Sequence, residues 1–383
     1  MKRLRRMDGL RGILAVYVLA AHAVPFAALP GWAIELFNHG EAAVDLFFAL
    51  SGLVIVNALE RFDGRFFPFM AARARRLLPA YFCALAAGFL LLLAGNPLTA
   101  MPWVGQAGRM TMEPGLPPLW PWHLVAHVLL LHGLIPQNLL PYAYITLLGP
   151  AWSLSTEWQF YLLIGLLVPR RLGRCALALL ALGIAYHCLP AVQTQFSRAF
   201  LPDAAPWFAL GLASAAWLRG SDRLALPTCL LGTCLLGLTE GPGKALVPLA
   251  WAAIILAQNQ DWGALLECGP LKYLGAISYP LYLVSEPVQR AVALLLQPVH
   301  DAALFTALWL PLALLTPIAA AVVLDHAVDV KGRERTTFCE QKVAKKLYYA
   351  GPWALSAPTP MAQHNQKFLR RFFQKAATFF YLR

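Results

Sequence analysis

Ten apolar stretches of roughly membrane-spanning length, separated by basic or Pro/Gly-rich loops, leave this chain one class of fold. They lie near residues 10–29, 42–59, 79–95, 151–168, 175–191, 204–218, 224–240, 244–258, 275–297 and 302–324. In hydrocarbon every backbone polar group must find a partner within the chain, so about 20 consecutive apolar residues cross as helix. Hydrophobic residues make up 59% of the 383 and charged residues 13%, so most of the chain cannot face water. The expectation is an all-α integral membrane protein with about ten transmembrane helices. Asp8 and Arg11 crowd the start of the first stretch, and no small-residue cleavage site follows it. It therefore reads as a retained span rather than a signal peptide.

The charges give the orientation. The segments 1–11, 60–78, 169–174, 219–223, 259–274 and the tail hold 27 of the 31 Lys and Arg. Only Arg109, Arg198, Lys244 and Arg290 fall elsewhere. Basic residues collect on the cytoplasmic side, so both termini are expected there. The apolar segment 122–138, "WHLVAHVLLLHGLIPQN", is short, carries three histidines and is hemmed by prolines. Counting it as a span would put the basic "RRLGR" outside, so it reads as a re-entrant or interfacial helix. The chain then divides into a transmembrane domain, 1–328, and a basic cytoplasmic tail, 329–383. The tail ends "KFLRRFFQKAATFFYLR", which suits a helix on anionic lipid or a disordered basic segment. Membrane proximity accounts for the net charge of +12, and no nucleic-acid role is expected. Seven cysteines are scattered without CxxC spacing, which indicates neither a disulfide framework nor a zinc ribbon. His123 and His127, four apart, with His132 nearby, have zinc-ligand spacing but no HExxH and no nearby carboxylate. No metal site is expected.

Polar residues inside the spans are the candidate site. Arg11 and His22 are eleven residues apart, about 16 Å along a helix and on nearly the same face. That puts Arg11 near the inner surface and His22 beyond the midplane. Ionisable groups in spans face a bundle interior or a cavity. A histidine bonded across helices for structure alone would look the same in sequence. Asp45 falls in the first outer turns of the second span, where a helix N-terminus tolerates a carboxylate. Ser51 and Gly52 follow, and small residues there suit close helix packing. Arg73 and Arg76 share one face of a short helix before Pro79. With Arg75 nearby, they suit a phosphate site or a positive-inside anchor. Trp152 and Tyr161 suit the outer interface, and Glu157 sits a turn or two into the fourth span. Such a carboxylate needs an imidazole or arginine partner.

The blocks "MDGLRGILAVYVLAAHA", "AVDLFFALSGLVI", "RARRLLPAY", "PAWSLSTEWQFYLL" and "YLGAISYPLYLVSEP" occur in that order over residues 7–325. In this the sequence resembles the acyltransferase 3 family, integral-membrane enzymes that acylate bacterial cell-surface sugars. The resemblance implies ten transmembrane helices with both ends cytoplasmic, in a bacterial inner membrane. It implies an acyl-CoA donor, acetyl-CoA by default, and a glycan or lipid-linked saccharide as acceptor. The family's essential first-helix Arg and His fall on Arg11 and His22, its basic loop motif on Arg73 and Arg76, and its Trp-Ser-x-x-x-Glu block on Trp152, Ser153 and Glu157. Many members carry His where this chain has Ser285, followed by Glu286. The tail does not resemble the periplasmic hydrolase domain of larger members, so the bundle is expected to hold the chemistry.

The expected mechanism follows. CoA phosphates bind Arg11, Arg73 and Arg76, with Arg75. His22 is general base or takes the acyl group itself. Glu157 or Asp45 orients the imidazole, and Ser153 or Tyr279 holds the oxyanion. Asp8, Trp152, Tyr161, Ser278 and Glu286 are expected to contact substrate or support the site. The rival expectation is a carrier or flippase for a glycan precursor. Symmetric halves with matched broken helices, which would point to a carrier, are not evident.

Overall fold

The computed structural model describes residues 6–94, 101, 103–104, 115–167, 171–257 and 261–328. Among the described residues the secondary structure is helical, with no strand. The tail, 329–383, lies outside them, as do Arg109 and Arg170.

Each of the ten apolar stretches holds a helix of 15 residues or more: α1 (Arg6–Ala23), α3 (Gly40–Glu60), α4 (Phe66–Leu93), α6 (Ala151–Leu167), α7 (Leu172–His187), α8 (Leu201–Leu218), α9 (Ala225–Glu240), α10 (Pro242–Leu256), α12 (Ser278–Leu296) and α13 (Ala302–Val328). The short helices α2 (Gly31–Phe37), α5 (Trp120–Val128) and α11 (Gly269–Ala276) join them. Among the described residues, four helical stretches are long and apolar enough to cross a membrane: Arg6–Phe26, Gly31–Glu60, Phe66–Leu93 and Ala302–Val328. The nine residues of α5 rise about 14 Å, too little to cross. Segment 122–138 is therefore no span.

Two helix ends differ from expectation, both at proline. The first span was expected to reach residue 29, but α1 stops at Ala23 and a 3₁₀ turn, Val24–Phe26, follows. Pro25 removes a donor and stops the helix, so His22 lies in the last turn of α1. Conversely, the loop helix expected to end before Pro79 runs straight through it, making α4 28 residues long. Neighbouring groups tolerate such a proline in an apolar bundle. Close to this proline, though not at the carbonyl it frees, the Tyr279 hydroxyl of α12 donates to the carbonyl of Leu77 at 2.8 Å and ties α12 to α4.

The centre of the bundle is α8, buried on nearly every side. Small residues let it approach α3. A Cβ on Gly52 would overlap the Phe208 carbonyl, and one on Gly211 would overlap the Ala49 carbonyl. Helices without a hydrophobic drive to associate in lipid gain contact this way. The same device seats α1 on α11, where Gly275 lies against the backbone of Asp8. Asp8 is 3% exposed, which makes it part of this helix contact.

Gly211→Ala pushes a methyl into backbone that cannot turn aside, and overpacking costs about 1–3 kcal/mol. Its unfolding temperature in detergent is expected to fall. Gly243→Ala, with open space around it, is expected to leave that temperature unchanged.

Candidate functional site

A carboxylate gathers one half of the site. Glu157 of α6 accepts from the hydroxyls of Ser51 on α3 and Tyr161, one turn further along α6. Arg73 of α4 lies over the Tyr161 ring, 5.7 Å from its centroid, and equally over Phe69. Arg76, one turn on, is within electrostatic reach of Arg73, Arg11, Tyr161 and Glu157. Arg11 lies over Phe47 and reaches Ser278 Oγ at 3.4 Å. Three guanidiniums thus surround one carboxylate. Arg73 Nε is buried without a hydrogen-bond partner. Arg75 is exposed, on the opposite side of α4 from Arg73.

Above the arginines is a cavity of about 60 Å³. Arg11, Ser51, Ser153, Glu157, Ser278, Tyr279 and Tyr282 supply its polar lining, and Phe47 and Phe48 much of its apolar wall. It has room for a few waters but not for a pantetheine arm. Ser153 Oγ bonds to Tyr282 Oη at 3.0 Å across it, joining α6 to α12. The sequence reading did not single out Tyr282. The available signal was spacing: Tyr279, Tyr282 and Glu286 fall on one helix face.

His22 lies apart from this cavity. Its Nδ1 is buried without a hydrogen-bond partner, and Glu286 of α12 is the carboxylate within its electrostatic reach. Neither expected orienting carboxylate is there. Glu157 is taken up by Ser51 and Tyr161. Asp45 lies 3.9 Å from Lys244, among Asp203, Glu41 and Glu240. The reason is height. Glu157 sits near the level of Arg11, whereas His22 ends its helix. Ser285 donates to the Tyr282 carbonyl of its own helix. Tyr161 is not interfacial but 1% exposed. Nine residues separate it from Trp152, about 14 Å along α6, so the two cannot share one interface. Trp152 is half-buried, with Arg198 5.3 Å above its ring.

The three described cations that fall outside the basic segments are all paired. Arg198 meets Glu41 at 2.5 Å, Lys244 meets Glu240 at 2.6 Å, and Arg290 meets Glu286 at 2.7 Å.

Two histidines within α5, His123 and His127, and one just after it, His132, close the 119–151 segment. His127 and His132 stack at 4.0 Å, and their Nε2 atoms bond the carbonyls of Ala143 and Ala151. His123 Nδ1 meets Thr146 Oγ1 at 2.9 Å. Among the described residues no group of three or more His, Cys, Asp or Glu is placed to hold a metal. Burial pushes the His132 imidazole down to about 4 and His127 well below its ordinary value.

An imidazole whose folded value is depressed contributes stability that is full above about pH 6.5 and is lost as pH falls towards the folded value. The unfolding temperature is expected to drop between about pH 6.5 and 4. In His132→Gln, which keeps a donor for Ala151 but does not titrate, the drop is expected to be smaller.

An acyltransferase domain family matches residues 4–326. BcsY of Komagataeibacter xylinus, named as a membrane-bound transacylase, is 28% identical over 335 residues, covering 78% of this chain and 77% of that protein. MdmB of Streptomyces mycarofaciens, named as an acyltransferase, is 29% identical over 267 residues, 66% of this chain and 62% of MdmB. Protein 2 in picA locus, of Rhizobium radiobacter, is 32% identical over 157 residues, 39% of this chain and 75% of that protein. No solved structure matches.

Proposed function

The chain belongs to the acyltransferase domain family, and from that premise we propose that it moves an acyl group from cytoplasmic acyl-CoA to a hydroxyl of a cell-surface glycan or lipid-linked sugar. The observation that carries this reading is the convergence of Arg11, Arg73 and Arg76 below a cavity, with His22 farther along the helix that bears Arg11. Guanidiniums are strong phosphate ligands, and the unpartnered Arg73 Nε is a donor ready for one. Acetyl is the simplest acyl group for so small a cavity.

In this reading residues 1–328 are a ten-span domain in a bacterial inner membrane, with both termini in the cytoplasm. The pairing of Arg198, Lys244 and Arg290 supports that topology, because a neutralised cation does not oppose the charge bias. The inner arginines hold the CoA phosphates. The arm then enters between α1, α3, α6 and α12, which must part, since the cavity is smaller than the arm. The thioester head passes Ser153 and Tyr282 towards His22. There the imidazole takes the proton of the acceptor hydroxyl as its oxygen attacks the thioester carbon. The C–O bond forms, the C–S bond breaks, and the leaving thiolate recovers the proton as CoA thiol. On the way, Tyr282 and Ser153 offer hydroxyl donors to the thioester carbonyl.

Label from radiolabelled acetyl-CoA, in sealed inner-membrane vesicles, is expected on glycan with the wild type. His22→Ala is expected to lose about 10²–10⁴-fold in rate while staying in the membrane. Arg73→Ala is expected to raise KM for the donor about 10–100-fold. Transfer undiminished in His22→Ala would discard the base; no transfer from any acyl-CoA would discard the donor and favour a carrier.

A further inference from the structure

Four buried polar atoms without a hydrogen-bond partner occur together on two facing helices. They are His22 Nδ1 on α1, and Gln289 Oε1, Arg290 Nε and Arg290 Nη1 on α12. Buried polar groups are nearly always satisfied, so a cluster of open ones calls for an explanation. The helices are pinned at two heights. Arg11 meets Ser278 at the lower, and Gln289 Nε2 donates to the Leu19 carbonyl at 3.2 Å at the upper. A second bond from Gln289 Nε2, to Ala313, holds α13 at the same level. Measured from the lower contact, His22 is about 16 Å up α1 and Glu286 about 12 Å up α12. The two are within a turn of each other in height.

Glu286 is itself held on two sides. Arg290, 6% exposed, bonds its Oε1 at 2.7 Å. Its Oε2 packs against Gly149, in the segment leading into α6, where any Cβ would overlap it. A buried ion pair contributes little net stability compared with an apolar pair of the same shape, so it is weakly explained by packing alone.

We infer that Glu286, braced by Arg290 and seated on Gly149, is the supporting carboxylate of His22, acting across the helix contact to offset the charge the imidazole gains in proton transfer. This rests on the acyl-transfer reading and deepens it. In the transfer step the acceptor's proton resides on the imidazole, and a carboxylate beside the ring stabilises that cation. Among the described residues, the charged groups facing His22 are Glu286 and, behind it, Arg290.

The test is steady-state acyl transfer by purified full-length protein, with wild type and His22→Ala as reference. Glu286→Gln is expected to lower kcat at least about tenfold while KM for acetyl-CoA stays within about twofold, because the donor's arginines lie elsewhere. Glu286→Asp is expected to recover part of the loss. Gly149→Ala displaces the carboxylate without removing it, and since only a side-chain end must yield, the protein is expected to fold. It should lower kcat too, and the double variant Gly149→Ala with Glu286→Gln should be no slower than Glu286→Gln alone. Should Glu286→Gln fail to fold, Gly149→Ala carries the test. Wild-type kcat in either single variant, or additive losses in the double, would overturn the inference while leaving His22 in place. A wild type that takes no acyl group from any CoA thioester would fail the acyl-transfer reading first and this inference with it.

Discussion

Charge held inside an apolar bundle is the constraint on which the rest depends. An ionised side chain among spans costs several kcal/mol unless it is paired and hydrogen-bonded, so each one dictates which helices meet around it. Glu157 draws in α3 through Ser51 and fixes Tyr161 on its own helix. Tyr161 in turn offers its ring to Arg73 of α4. Arg11 of α1 comes to the same cavity. The close backbone contacts of α8 with α3 let these groups sit where the bundle has no slack.

The same rule governs the other polar layer. Arg198, Lys244 and Arg290 look like errors in a count of basic residues along the chain. Each is instead answered by a carboxylate, two of them by an acid four residues away: Glu286 on the same helix as Arg290, and Glu240 across the tight turn from α9 to α10 that carries Lys244. The Glu286–Arg290 pair was legible in sequence as helical spacing. Arg198–Glu41 was not, because 157 residues separate them.

What the sequence could convey was height along each helix. The apolar stretches coincide with the long helices, and Arg11, Arg73, Arg76, Glu157, Ser153, Ser278 and Tyr279 come to one region. It could not convey which faces meet. Glu157 was matched to His22 because both are ionisable and lie in spans, yet Ser51, first read as mere packing, is the group that bonds it. Gly52, its neighbour, does pack closely, so two adjacent residues divided the roles read for the pair. Proline gave opposite results at two sites. At Pro25 the helix gives way to a 3₁₀ turn that stays buried against Phe305 and Trp309 of α13, whereas α4 continues through Pro79 with α12 packed beside it.

One helix face ties the two polar layers together. Tyr279, Tyr282, Glu286 and Arg290 follow each other up α12 at helical spacing, from the arginine cavity to the level of His22. Between the layers stands the Ser153–Tyr282 bond. A bond between two neutral hydroxyls is worth about 0.5–1.5 kcal/mol, whereas breaking a buried ion pair by losing one partner costs about 3–5. If a donor is to travel from the arginines to the imidazole, the bundle yields at its weakest polar joint. The Glu157 and Glu286 clusters on either side keep their form. The barrier and the anchors therefore differ in strength in the sense that transfer through the bundle requires, and that difference follows from which groups are charged.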